Sequence, residues 1–106
     1  MRSPLVRPAV AAERLAAGKA VLLDVREHSE LEEASVKGAL HIPMGEIARR
    51  VDELPREKPI LVMCHHGMRS QQVANWLIKH GFTNVENVAG GIDAWADEVD
   101  SAVGKY

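Results

Sequence analysis

The stretch Ile60-Leu61-Val62-Met63-Cys64-His65-His66-Gly67-Met68-Arg69-Ser70 decides how this chain is read. Ile60 to Met63 is an unbroken apolar run bounded by Pro59. Beyond the loop, Val73, Ala74 and Leu77 share one helical face, with Trp76 or Ile78 at its edge. An apolar run, a short loop and an amphipathic segment predict a buried strand feeding a helix N-terminus. The only cysteine of the chain falls at that junction. Gly67 takes backbone angles closed to other residues, which lets the loop curl and aim N–H groups inward. Those groups, the helix dipole and Arg69 favour an anion at the loop's centre. The same field favours the thiolate of Cys64, the form that acts as a nucleophile. Free cysteine is often just a small buried hydrophobe. Two imidazoles, a glycine and an arginine directly behind it point instead to a reactive thiol.

The length of 106 residues suits one domain over 1–106, large enough for a core but not for two. A composition 46% hydrophobic and 26% charged is ordinary for a soluble globular protein. The formal net charge of −2 argues against a general nucleic-acid or membrane-surface binder. No apolar run approaches transmembrane length. Met1 to Pro8 holds basic residues but no apolar core of a secretory signal. One cysteine cannot form an internal disulfide, which suits a reducing compartment, the cytoplasm.

Around the central stretch, turn residues divide the chain into alternating elements. Leu5-Val6 is a short edge strand between Pro4 and Pro8, and residues 9 to 17 form an Ala-rich helix stopped by Gly18. Ala20 to Val25 is a strand leading into Asp24, Arg26 and Glu27. Ser29 to Glu33 reads as a helical turn with Ser29 as cap and Glu32 three residues on. Ala39 to Ile42 is a strand closed by Pro43; Ile47, Val51 and Leu54 mark a helix ended by Pro55. The helix after the loop runs from Ser70, its N-cap, to His80, with Gly81 as stop. Asn84 to Val88 is the last strand, and Gly90-Gly91 opens a helix through Trp95. Such alternation predicts an α/β fold in three layers, with a mainly parallel sheet of about five short strands flanked by helices. Ligands bind such sheets at the carboxyl ends of strands, where Asp24 to Glu27, Cys64 to Arg69 and Ala89 to Gly91 would gather.

At these residues the sequence resembles the rhodanese family of sulfurtransferases. Leu22-Leu23-Asp24-Val25-Arg26-Glu27 is similar to its Asp-x-Arg segment, and Lys37-Gly38-Ala39-Leu40-His41-Ile42-Pro43 to its Gly-Ala-x-x-Ile-Pro segment. Ala89-Gly90-Gly91-Ile92-Asp93-Ala94-Trp95 resembles the terminal Gly-Gly-x-x-x-Trp segment, and Cys64 to Ser70 the active-site loop. Where the family often has an aromatic residue and Gly-His-Ile, this chain has Leu31 and Ala34-Ser35-Val36, which leaves the local helix boundaries open.

The resemblance implies a sulfurtransferase in which Cys64 takes a sulfane sulfur from a donor such as thiosulfate. It then passes the sulfur as a persulfide to cyanide or a small-molecule or protein thiol. No metal or organic cofactor is required. His65, His66, Gly67, Met68, Arg69 and Ser70 would bind substrate, Arg69 by attracting the donor or by closing the loop onto a carbonyl or carboxylate. Asp24 and Arg26 would support the rim as a structural ion pair, Gly90 and Gly91 would let backbone approach the loop, and Trp95 and Trp76 would pack in the core. A metal site on Cys64, His65 and His66 is disfavoured, because adjacent histidines seldom converge on one ion and the sequence offers no second ligand cluster. A monomer or weak homodimer is expected. One rival is a cysteine phosphatase or arsenate reductase; related folds of that kind have five residues between cysteine and arginine, against four here. Another is a sulfur carrier or a non-enzymatic binding module on the same fold.

Overall fold

In the computed structural model, which describes residues 3–105, the apolar run becomes the central strand of a sheet. The strands are β1 (Leu5–Val6), β2 (Val21–Asp24), β3 (Leu40–His41), β4 (Ile60–Met63) and β5 (Val85–Val88), ordered β1-β5-β4-β2-β3. The expected five-stranded α/β sheet is present, and every pairing in it is parallel. The flanking helices are α1 (Pro8–Ala16), α2 (His28–Glu33), α3 (Ile47–Arg50), α4 (Met68–Lys79) and α5 (Gly91–Glu98). Among the described residues no helix is long and apolar enough to cross a membrane.

The unbroken hydrophobicity of β4 follows from its burial on two faces. Ile60, Val62 and Cys64 pack with Leu23, Val73, Ala74, Leu77 and Val85, in the layer of α3 and α4. Leu61 and Met63 point the other way and pack with Leu22, Ala11, Val88, Ile92 and Trp95, in the layer of α1 and α5. Cys64 therefore continues the alternation of β4 and carries its sulfur toward α4. Strand β4 lies between β5 and β2, and the crossover after β4 leads to β5 while that after β2 leads to β3. The chain thus parts in opposite directions from β4 and β2, and the carboxyl ends of strands at such a switch point are where open parallel sheets bind ligands.

Three local expectations are corrected. Ser70 does not cap α4; the helix starts at Met68 with Gly67 at the N-cap, and Ser70 lies buried in the first turn. Gly67 sits at φ 111°, a conformation that turns the chain sharply enough to begin the helix early. Ser29 does not cap α2 either. Glu27 holds the N-cap and Glu30, three residues on, reaches back to accept the Glu27 N–H at 3.0 Å. The helix over Ile47 to Leu54 is broken into short 3₁₀ turns on both sides of α3, although Ile47 and Leu54 are buried as the spacing requires. Leu54, the residue before Pro55, is extended at ψ 135°, the region to which a following proline steers its neighbour, and the helix stops short of it.

In the segment that departs from the family pattern, Ala34 is buried, and Ser35 donates its N–H to Val103 O at 3.2 Å. Of the N-terminal segment read for a signal, Met1 and Arg2 lie outside the described residues.

Candidate active site

Cys64 is 2% exposed at the carboxyl end of β4. Its sulfur accepts the Gly67 N–H at 3.1 Å. Ser70 Oγ lies 3.3 Å from the same sulfur, on the first turn of α4. The loop therefore wraps around Sγ and delivers it to a helix N-terminus, where partial positive charge favours an anion.

Behind Ser70 stands a residue that sequence reasoning missed. Asn87, on β5 and 2% exposed, donates Nδ2–H to Gly67 O at 3.0 Å and accepts the Ser70 hydroxyl on Oδ1. The bond to Gly67 O fixes which end of the amide faces Ser70. Ser70 has one proton and two acceptors in reach, Asn87 Oδ1 and Cys64 Sγ. With a thiol, S–H can donate to Ser70 Oγ while Ser70 donates to Asn87. With a thiolate, the hydroxyl can turn to the sulfur. The signal for Asn87 was its phase: two residues after Val85, it shares the strand face that looks toward α4.

The outer side of the loop is held by α5. Ile92 N–H donates to Cys64 O at 2.8 Å and Asp93 N–H to His65 O at 3.2 Å. With those carbonyls drawn to α5, trans planarity points the His65 and His66 N–H groups away from it. This contact requires glycine at 91, where φ is +63° and a Cβ would overlap the carbonyl oxygens of Cys64 and His65. Gly91→Ala is therefore expected to cost at least the roughly 1–3 kcal/mol of backbone strain. Because the clash falls on the cysteine loop, the folded fraction should also turn over more slowly than the parent. Thermal unfolding and activity per folded molecule check the two effects separately.

Arg69 does not stand free at the loop. Its Nη1 and Nη2 bind Glu30 Oε1 and Oε2 at 2.6 and 2.7 Å, closing the loop onto a carboxylate of α2. Glu30 in turn belongs to a helix held by Arg26. Arg26 is fully buried, grips Asp24 with Nη2 at 2.7 Å from Oδ2, and donates to Glu30 O at 3.2 Å and Ala34 O at 2.8 Å. A continuous charged truss thus runs from the end of β2 through α2 to Arg69. The sequence marks its two ends, Asp24 with Arg26 and Arg69, but not Glu30 between them.

His65 is half-buried and His66 exposed, their rings stacked with centroids 3.9 Å apart. Met68 is 77% exposed, flanking the loop rather than covering the sulfur. Trp95 is buried beneath α5, and Trp76 lies at the edge of the α4 core, stacked on His80.

Comparison with known proteins gives one family. Its model, described as Rhodanese-like domain, matches residues 7–98. The thiosulfate sulfurtransferase GlpE of Coxiella burnetii is 39% identical over 75 residues, covering 71% of this chain and 70% of that one. YrkF of Bacillus subtilis is 40% identical over 79 residues, covering 74% of this chain. The match spans 43% of YrkF, so it is one part of a longer protein. The crystal structure of a rhodanese-related protein from Thermoplasma volcanium superimposes with a TM-score of 0.83 at 32% identity, covering 91% of this chain and 93% of that one.

Proposed function

The chain belongs to the rhodanese-like family, and on that premise we propose that it moves a sulfane sulfur through a persulfide on Cys64. The observation that carries this reading is the sulfur of Cys64 accepting the Gly67 N–H at 3.1 Å at the N-terminus of α4. An acceptor held by N–H donors at a helix end is suited to negative charge, both as thiolate and as persulfide. The name of the Coxiella relative supports thiosulfate as a donor.

In the first half-reaction the Cys64 thiolate attacks the outer sulfur of thiosulfate. A sulfur–sulfur bond forms to Cys64, the original one breaks, and sulfite leaves with its electron pair. The terminal sulfur then carries the negative charge, facing the N–H groups of the loop. In the second half-reaction cyanide or a thiolate attacks that sulfur and the Cys64 thiolate leaves. This is ping-pong covalent catalysis, and it draws on no cofactor. Ser70 follows the sulfur's charge by rotating its hydroxyl between Asn87 and Sγ. Arg69 holds the loop in place through Glu30, and Asp24 and Arg26 hold α2. A protein thiol is an acceptor of the same chemistry, and a single free cysteine fits work in a reducing compartment such as the cytoplasm.

Intact mass after incubation with thiosulfate tests this. The expected result is a gain of one sulfur atom that cyanide removes as thiocyanate. No adduct, together with hydrolysis of an aryl phosphate or reduction of arsenate, would replace this reading with the oxyanion chemistry of the rival class.

A further inference from the structure

Beside the cysteine loop the fold assembles a group of ligands that the sequence does not display. His65 and His66 are neighbours whose carbonyl-anchored backbone leaves their rings stacked, 3.9 Å between centroids and 24° from parallel. Asp93, in the first turn of α5, is brought against them by the same hydrogen bond that holds the loop, Asp93 N–H to His65 O at 3.2 Å. One ligand atom from each of the three side chains lies within 4.8 Å of the others.

We propose that His65, His66 and Asp93 form a site for a divalent transition-metal ion such as Zn²⁺, independent of the sulfur-transfer reading. Two imidazoles and a carboxylate are the donor set of borderline ions with an open coordination position. Tetrahedral zinc with bonds of 2.0–2.1 Å needs donors about 3.3 Å apart, so closure asks for side-chain shifts on the order of 1 Å. His66 is exposed and Asp93 only half-buried, so both have room to move. On Asp93, Lys105 competes only weakly: its Nζ lies 3.6 Å from Asp93 Oδ1 but makes its shorter contact, 2.7 Å, with Asp97. Cys64 is outside the group, so the ion would sit at the mouth of the loop without consuming the sulfur.

The test uses Zn²⁺ competed against a chromophoric chelator, in a Cys64→Ser chain so that thiolate binding is removed. One equivalent is expected to bind. Adding Asp93→Ala should weaken it by at least about tenfold, the smallest loss that outer-shell partners alone produce. Lys105→Ala should hold or tighten it. Co²⁺ bound to the unsubstituted chain should show weak visible bands and no sulfur-to-cobalt charge transfer. Failure of the Cys64→Ser chain to bind overturns the site. So does unchanged affinity in an Asp93→Ala chain that melts like its parent, or a charge-transfer band from sulfur.

Discussion

Cys64→Ser is expected to take up no sulfur from thiosulfate, and its turnover should fall to the uncatalysed background. The substitution removes the one atom on which the intermediate can be built. An alcohol is a far weaker nucleophile than a thiolate at neutral pH and forms no stable sulfur–sulfur link. The surroundings should barely register the change. Serine is slightly smaller, and its oxygen can accept the Gly67 N–H that Sγ accepts at 3.1 Å. The stability cost should stay near the 1 kcal/mol typical of one altered hydrogen bond. Intact mass and thiocyanate formation measure the first effect, and thermal unfolding the second. A Cys64→Ser chain that still produces thiocyanate would show that another group carries the sulfur. Since Cys64 is the only cysteine, that outcome would end the persulfide reading altogether.

The uneven legibility of this site in the sequence has a physical cause. Strand β4 and Cys64 could be read because a strand covered on both faces must be apolar at every position. Gly67 and Gly91 could be read because glycine alone tolerates the backbone angles and the close approach found there. Asn87 could not be read so directly, since a polar residue in Val85-Glu86-Asn87-Val88 looks the same whether it faces water or a buried hydroxyl. Only the topology, which sandwiches β5 between β1 and β4, buries it. Ser70 looked like a cap because serine usually caps; here Gly67 begins the helix and the serine serves the sulfur instead. Glu30 sits 39 residues from Arg69, and no local pattern joins them. Asp93 approaches His65 and His66 for the same reason, through a helix that starts after the next strand.

The truss gives the largest expected effect on stability, with Asp24→Ala as its sharpest probe. Arg26 is fully buried, and its Nε lies 3.0 Å from Asp24 Oδ1 while Nη2 lies 2.7 Å from Oδ2. Removing the carboxylate leaves a guanidinium enclosed without its counter-charge, a change that costs about 3–5 kcal/mol. For a chain of this size, each 1 kcal/mol lowers the melting temperature by roughly 4–8 °C. Arg26→Met should also be costly, because Asp24 then loses its ionic partner, Ala34 O loses its guanidinium donor, and Glu30 O keeps only the Ala34 N–H. The two changes act on one interaction, so Asp24→Ala combined with Arg26→Met should cost clearly less than the sum of the single losses. Denaturant unfolding of the three chains measures that coupling. Single losses below about 1 kcal/mol would place the pair among solvent-screened surface bridges, contrary to its burial. Activity reads the other end of the truss. Arg26 anchors the α2 backbone at Glu30 and Ala34, and the Glu30 side chain anchors Arg69. Loosening α2 should therefore slow sulfur uptake at Cys64 even where the chain remains folded.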